Sequence, residues 1–519
     1  MKQKHLLLAI LLSAAPLTAP LTAFAWQSDN GDGTYTNPIL YADYPDPDII
    51  RVGGDYYFVT TTFVNSPGLR LLHSKDLVNW KIVTNVVEKL DGNPAYDMKD
   101  GATDYRHGFY AASIRHYKDT FYIAITPVGQ KTRIYRATNP KGPWKCNVLN
   151  EEAFDPGLHI EPDGRAYIYT SGSWDGTLTL MTLNADLTKV VKKEKIYYNK
   201  GAEGSHIVKR GDWYYLFNAV PHRLGMTVSR AKTLTGPWET KNQIDTNSGG
   251  HQGALVDTPD GKWYGFAHHD SGAIGRMTVL SPVYWVDDWP VWGTPEKPMQ
   301  VPAKAEKPVL GCPIMQPATS DEFDAPNLGA QWAWNHNPDN SRWSLSERPG
   351  WLRLKATKAA GFWTARNTLT QKGQGPWSRG EVKLDLSHLK SGDVCGFGTL
   401  GKFNGHIVIR CGTDGKLTLG MEVVEDLGDS RKTDTRASGI PLDTRTVYLR
   451  TDMDFAATRS TCAYSLDGRE WKTLGGEFPL AYDWRTGTFQ GEQYAIFCYN
   501  PANSDGVADV DYFRFTDKQ

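Results

Sequence analysis

The chain has 519 residues, with 57 basic and 58 acidic side chains, a formal charge of −1 and 12% aromatic residues. A near-neutral chain has no electrostatic footprint for nucleic acid, and no segment after the first 25 residues is long and apolar enough to span a membrane. Those first residues carry Lys2 and Lys4, an apolar run from Leu6 to Ala15 and the small-residue site Ala23-Phe24-Ala25. They read as a secretory signal peptide, which predicts a protein exported to the periplasm or the extracellular space, a retained N-terminal anchor being the alternative.

From residue 26 to about 293 one phrase recurs five times: a polar or aromatic residue, an apolar strand, a Gly- or Asp-bearing turn, and a strand rich in Tyr, Phe or Trp. The copies are PDPDIIRVGGDYYFVTTT from Pro45, YAASIRHYKDTFYIAIT from Tyr110, DPGLHIEPDGRAYIYTS from Asp155, EGSHIVKRGDWYYLFNA from Glu203 and HQGALVDTPDGKWYGFA from His251. A hairpin period of about 40 to 50 residues predicts a β-propeller, because a lone twisted sheet cannot bury both faces until neighbours stack around an axis. Five copies predict five blades.

Residues at one phase of such repeats converge on the axis. Here they are Asp46, Tyr110, Asp155, Glu203 and His251, at successive offsets of 64, 45, 48 and 48 residues. A single Asp at a strand start commonly serves a turn. Three carboxylates at one phase repel one another and lose hydration, so a purely structural protein would gain by replacing them, and they point to a catalytic or ligand-binding centre. Asp48 shares the first segment but follows Pro47, and reads as a turn or supporting residue. A second recurring element, with Trp80, Trp144 and Trp238 after Asp-Leu or Gly-Pro turns, reads as outer hairpins whose indoles pack between blades.

Between residues 294 and 320 the periodicity stops and Pro accumulates, as in a stiff connector lying on a surface. Residues 321–519 show short alternating runs between Gly, Asp and Asn turns, with no helical period, and predict a jelly-roll, concanavalin A-like β-sandwich. The fold class is therefore all-β. The six Cys form neither a disulfide framework nor a CxxC metal site. Cys395 with Cys411 is the one candidate pair, against buried free thiols.

With these residues assembled, the chain resembles glycoside hydrolase family 43. NPILYADYPDPDIIRVGGDYYFVTTTF, AFDPGLHIEPDG, GAEGSHIVKRGDWYYLF and GHQGALVDTPDGKWY match in order and spacing, and the sandwich resembles the accessory domain of the family's β-xylosidase-like members. The resemblance implies Asp46 as general base, Glu203 as general acid and Asp155 as the carboxylate that orients and tunes the acid. Inverting hydrolysis asks for the same division, with base and acid roughly 6.5 to 9.5 Å apart. The resemblance further implies that Arg276 binds a sugar hydroxyl or orients a carboxylate, although Met277 stands where the family has an acidic neighbour. It makes His251 the axial histidine near the substrate and, in some members, near a calcium ion; a structural calcium is thus the one metal it suggests, and no cofactor is required. Phe63, Tyr110 and Trp174 are expected as walls or stacking faces of the sugar site.

The implied activity is release of β-D-xylose or α-L-arabinofuranose from plant cell-wall oligosaccharides derived from xylan, arabinoxylan or arabinan. An endo-arabinanase, an exo-galactanase and a non-catalytic sugar-binding propeller are the alternatives. The second domain is expected to be a structural flap near the active-site mouth rather than a free sugar-binding module.

Overall fold

The computed structural model describes residues 26–517, apart from 172–174, 245–249, 429 and 487. The expected signal peptide and Trp174 lie outside the described residues. No helix among the described residues is long and apolar enough to cross a membrane.

Five antiparallel sheets form the blades. Blade 1 runs from Asp48 to Val87, blade 2 from Phe109 to Val148, blade 3 from Gly157 to Tyr198, blade 4 from Glu203 to Ile244 and blade 5 from His251 to Pro298. The first strands of successive blades, Asp48–Val52, Phe109–Tyr117, Gly157–Ile160, Glu203–Arg210 and His251–Asp257, touch one another in a closed ring. These strands are buried, whereas the fourth strand of blade 2, Lys145–Val148, is largely exposed. The repeats thus become blades because each apolar strand has a neighbour on both faces.

The ring is sealed by the segment before blade 1. Thr34–Thr36 pairs with Lys304–Glu306, and Ile39 and Tyr44 donate their N–H groups to the carbonyls of Thr278 and Arg276 at 3.0 Å. The connector is docked by charge as well as by backbone. The buried ammonium of Lys307 lies between the buried carboxylates of Asp29 and Asp76, and Asn79 bonds Asp29 and receives the Met315 N–H.

Residues 320–517 form two stacked sheets. One has seven strands, built around Trp377–His388 between Val507–Asp517 and Thr446–Asp454. The other has nine, and its edge strand is not its own: Asn65–Ser66 of the propeller pairs with Ala333–Asn335. One apolar cluster likewise crosses the boundary, joining Val59, Val64 and Leu71 to Trp363, Phe497 and Tyr499. The sandwich is therefore welded to blade 1 by hydrogen bonds and by shared core.

Of the two readings of the cysteines, candidate Cys395–Cys411 pair or free thiols, the structure shows the second: all six Cys are free. Strand register explains it. Cys395 faces Ile409 and Cys411 faces Leu417, so the two residues are diagonal neighbours, about 7–8 Å apart in such a sheet against the roughly 4.4–6.8 Å between Cα atoms that a disulfide allows.

Two predictions follow from this packing. Lys307→Met leaves Asp29 and Asp76 as uncompensated buried charges, and should destabilise the protein by roughly 3–5 kcal/mol in denaturant unfolding; a loss below about 1 kcal/mol would show that the connector is held by other contacts. A chain ending at residue 319 keeps Lys307 but uncovers the shared apolar cluster, and should be insoluble or poorly active. A soluble truncation with full activity on short substrates would make the sandwich a free module.

Candidate active site

The five inner strands deliver side chains to one end of the ring by two local devices. In blades 1 and 3 the residue before a proline, Asp46 or Asp155, has left-handed backbone (φ 53 and 45), which Asp tolerates better than most residues. In blades 2, 4 and 5 the first strand carries one extra residue relative to its partner, at Tyr110–Ala111, at Gly204–Ser205 and at Gln252. A bulge or a left-handed residue turns a side chain out of the ladder and toward the axis.

A cavity of about 220 Å³ results, lined by Asp46, Tyr110, Asp155, Glu203 and Arg276 among others. Asp46, Asp155 and Arg276 are buried. The backbone of Asp46 is pinned on three sides: its N–H donates to His268 Nδ1 at 2.8 Å, Thr60 Oγ1 donates to the Pro45 carbonyl, and Thr278 Oγ1 to the Tyr44 carbonyl. The Asp46 carboxylate receives Arg276 Nη1 at 3.0 Å. Asp155 accepts the Gly204 N–H, so the third carboxylate is tied to the residue following Glu203.

Burial, reinforced by the nearby charge of Asp46 and opposed by Arg276, raises Glu203 to a pKa of about 7. Burial also raises Asp155 well above the carboxylate range, with Glu203 and Asp46 adding repulsion. Asp155 and Glu203 repel each other, and Asp46 adds repulsion to both.

Asp48 is elsewhere. Its buried carboxylate takes the Ile114 N–H at 2.8 Å and Arg115 Nη1 at 2.6 Å and lies 3.3 Å from His206 Nδ1, tying blades 1, 2 and 4 below the cavity. Burial would raise its pKa, but Arg115 and His206 hold it below the usual range. His251 also stands behind the cavity rather than in its lining, with Nε2 3.2 Å from His268 Nε2 and 3.1 Å from Asp270 Oδ2. Burial drives His268 well below the usual histidine range, so it is a neutral imidazole.

His251, His268 and Asp270 are the one cluster of potential metal donors among the described residues. Two imidazole nitrogens and one carboxylate do not fit calcium, which takes six to eight oxygens. His268 Nδ1 accepts the Asp46 N–H, which leaves its proton on Nε2, the atom a metal would need.

The aromatic wall comes from both domains. Phe63 packs edge-on to Tyr110 at 5.2 Å and lies 5.0 Å from Phe489, a sandwich residue that lines the cavity. The Arg276 guanidinium sits 5.2 Å from the Phe63 ring and 4.9 Å from that of Phe489. Trp484, also of the sandwich, lines the mouth, and its carbonyl accepts Arg106 Nη2 at 2.7 Å. The loop bearing them is clamped where the Gly491 N–H meets Asp43 and the Glu492 N–H meets the Ala273 carbonyl. A Cβ on Gly491 would lie 2.1 Å from the Ile274 carbonyl oxygen, so only glycine permits this approach.

Arg106, Phe154, Gln252, Trp484 and Phe489 line the cavity and escaped sequence reasoning. A one-residue bulge leaves no trace in a periodicity, and Trp484 and Phe489 lie hundreds of residues from the repeats; the Tyr482, Trp484 and Phe489 cluster in a loop was the only available signal. Met277 is explained as well. It is buried in the apolar cluster shared with the sandwich, where a carboxylate would be unpaired, and Asp43 instead accepts the Arg276 N–H at 2.9 Å.

Residues 35–290 match the family model of Glycosyl hydrolases family 43, and residues 320–516 that of the Beta xylosidase C-terminal Concanavalin A-like domain. A beta-xylosidase of Formosa agariphila is 31% identical over 94% of this chain and 91% of its own length. A non-reducing end alpha-L-arabinofuranosidase of Bacteroides ovatus is 34% identical over 62% of this chain and 65% of its own. Among solved structures, a bifunctional GH43-CE protein of Bacteroides eggerthii superposes with a TM-score of 0.84 at 34% identity over 93% of this chain, which spans 64% of that longer protein. The chain belongs to glycosyl hydrolases family 43 and is a glycosidase.

Proposed function

We propose that this glycosidase is exported and removes single pentose units, β-D-xylose or α-L-arabinofuranose, from the ends of plant cell-wall oligosaccharides with inversion at the anomeric carbon. The observation that carries the reading is the size of the cavity. At about 220 Å³, narrowed by the sandwich loop, it is smaller than the roughly 300–1,000 Å³ of drug-sized pockets and suits one sugar ring rather than a polymer in a groove. That favours end-wise release over endo-arabinanase action. The two sugars follow the names of the relatives, a beta-xylosidase and an alpha-L-arabinofuranosidase. Export rests on the Lys-flanked apolar leader at residues 1–25.

In this mechanism Asp46, oriented by Arg276, takes a proton from water on one face of the sugar. The oxygen of that water bonds to the anomeric carbon as the bond to the leaving oxygen breaks. Glu203, protonated near neutral pH, gives its proton to that leaving oxygen, and Asp155 stays beside the acid through the Gly204 N–H. Tyr110 and Phe489, backed by the buried ring of Phe63, supply an apolar wall for the ring's C–H face.

Activity should fall as pH rises through about 7, where Glu203 loses its proton. Glu203→Gln should lose far more activity on xylo- or arabino-oligosaccharides than on aryl pentosides, since a good leaving group departs without protonation, while Asp46→Asn should damage both. Equal losses for Glu203→Gln on the two classes would remove its acid role. Proton NMR of the first-formed sugar should show the inverted anomer, and retention would sink the base assignment. If the purified protein hydrolyses neither aryl β-xyloside nor aryl α-arabinofuranoside, the pentose reading fails.

The same carboxyl has a stability consequence. Its folded pKa of about 7 lies above the ordinary 4.5, so its contribution is fully present below about pH 4.5 and is lost as pH rises through about 7. Glu203→Gln removes that penalty. The variant should match the wild type in unfolding free energy from denaturant titration at low pH and exceed it above pH 7, by up to about 3 kcal/mol. A variant less stable than the wild type at every pH would show that Glu203 is held by attractive contacts instead.

A further inference from the structure

Gln252 is the extra residue of the blade 5 bulge. His251 faces His268 and Gly253 faces Ala267, so Gln252 has no partner across the ladder. Its backbone is left-handed (φ 54), the residue is 4% exposed, and it lines the same cavity as the three carboxylates. Its amide nitrogen is buried with no hydrogen-bond partner. The side chain lies against the backbone of Gly204, where a Cβ would come within 2.7 Å of Gln252 Cδ. Gly204 itself has φ 56, so the residue after Glu203 is glycine for two reasons, and one of them is to seat this amide.

Each of these features is unfavourable for folding alone. A left-handed non-glycine backbone is strained, and a buried donor without an acceptor forfeits its hydration. Glycine would remove both costs at this position. The arrangement makes sense when an acceptor arrives from outside, and the cavity holds a second instance of the same deficit: Arg276 Nε and Nη2 are also buried without partners. Unpaired donors on residues that line a small cavity are complementary to the lone pairs of hydroxyl oxygens, and a sugar ring is the ligand class that presents several of these at fixed angles.

We propose that Gln252 is a substrate-binding residue whose side-chain amide donates a hydrogen bond to one hydroxyl of the sugar held in the cavity, on the Glu203 side, and thereby helps select the sugar. The inference rests on the glycosidase reading of the cavity given above. Because the amide is anchored on a bulge and braced by Gly204, it is a fixed point, and sugars that place no hydroxyl there leave it unpaired. A site built to bond a hydroxyl rejects analogues lacking it far better than an apolar pocket discriminates by size.

The test uses the full chain with Gln252→Met, which keeps volume without a donor, and Gln252→Gly, which relaxes the left-handed backbone. Gln252→Gly should keep or raise the thermal midpoint. Both variants should lose about ten- to hundredfold in kcat/KM on the preferred aryl pentoside. Against a series of monodeoxy aryl pentosides, one analogue should be processed poorly by the wild type and no worse by the variants, because the partner hydroxyl is already missing. The assignment is overturned if the variants match the wild type on every substrate. It is equally overturned if they lose the same factor on every deoxy analogue while the alkaline limb of the pH profile moves, since Gln252 would then act through Glu203. Inactivity of the wild type on both pentosides would sink the pentose reading and this assignment together, whereas an active wild type with unaffected variants sinks this one alone.

Discussion

The ion pair between Arg276 and Asp46 is the interaction on which the rest of the structure depends. Three carboxyl groups meet in a buried cavity, and burying them as three anions would be prohibitive. One is neutralised by the guanidinium, and the other two are pushed toward their neutral forms by burial and by one another. The chemistry of a glycosidase asks for that inequality: one carboxylate kept anionic and one carboxyl kept protonated in the same small volume. Arg276 achieves it from a position fixed by the chain on every side. Its N–H reaches Asp43, its carbonyl receives the Tyr44 N–H, and its guanidinium is flanked by Phe63 and Phe489. The segment that closes the propeller is therefore also the segment that holds the base.

Much of this could be read in the sequence, for a definite physical reason. A propeller repeats its hydrophobic pattern, so phase alone brought Asp46, Tyr110, Asp155 and Glu203 to one place, and the five sheets follow the five copies. Phase fails where the ladder slips. In blade 5 it pointed to His251, but the inserted residue is Gln252, and His251 turns behind the cavity toward His268 and Asp270. Phase is equally silent on contacts between distant parts of the chain. Nothing in the repeats of the first 293 residues announces that Phe489 will touch Phe63, or that Asn65–Ser66 will extend a sheet of the second domain. Sequence proximity likewise does not give register, which is what keeps Cys395 and Cys411 apart.

The two domains act as one body around the cavity. Asn65 sits in the shared sheet, and its side-chain amide donates to Gln493 at 2.8 Å and to Gln490 at 3.1 Å, next to the loop that carries Phe489. The same loop is pinned by Asp43 and Ala273 of the propeller. The wall it contributes is thus held from both sides, and its position is set by the propeller rather than by a flexible tether. This explains how a surface loop supplies an aromatic face with the precision that a sugar site requires.

The left-handed backbones at Asp46, Asp155, Gly204 and Gln252 occupy equivalent places at the tops of four inner strands. Three of the four are non-glycine residues in a conformation that disfavours them, and strain of that kind persists where surrounding structure over-determines it. The ring of inner strands below supplies the constraint, through contacts such as Asp48 with Arg115 and His206. This division of labour separates stability from function along each strand. The lower part keeps a regular ladder and buried ion pairs, while the top one or two residues leave the ladder by a bulge or an Asp-Pro kink and face the axis. Side chains at those tops can therefore be exchanged without disturbing the hydrogen bonds that hold the blades. On this architecture the choice of sugar is a property of a few residues at strand tops and of one loop from the second domain, and the acid and base need not change with it.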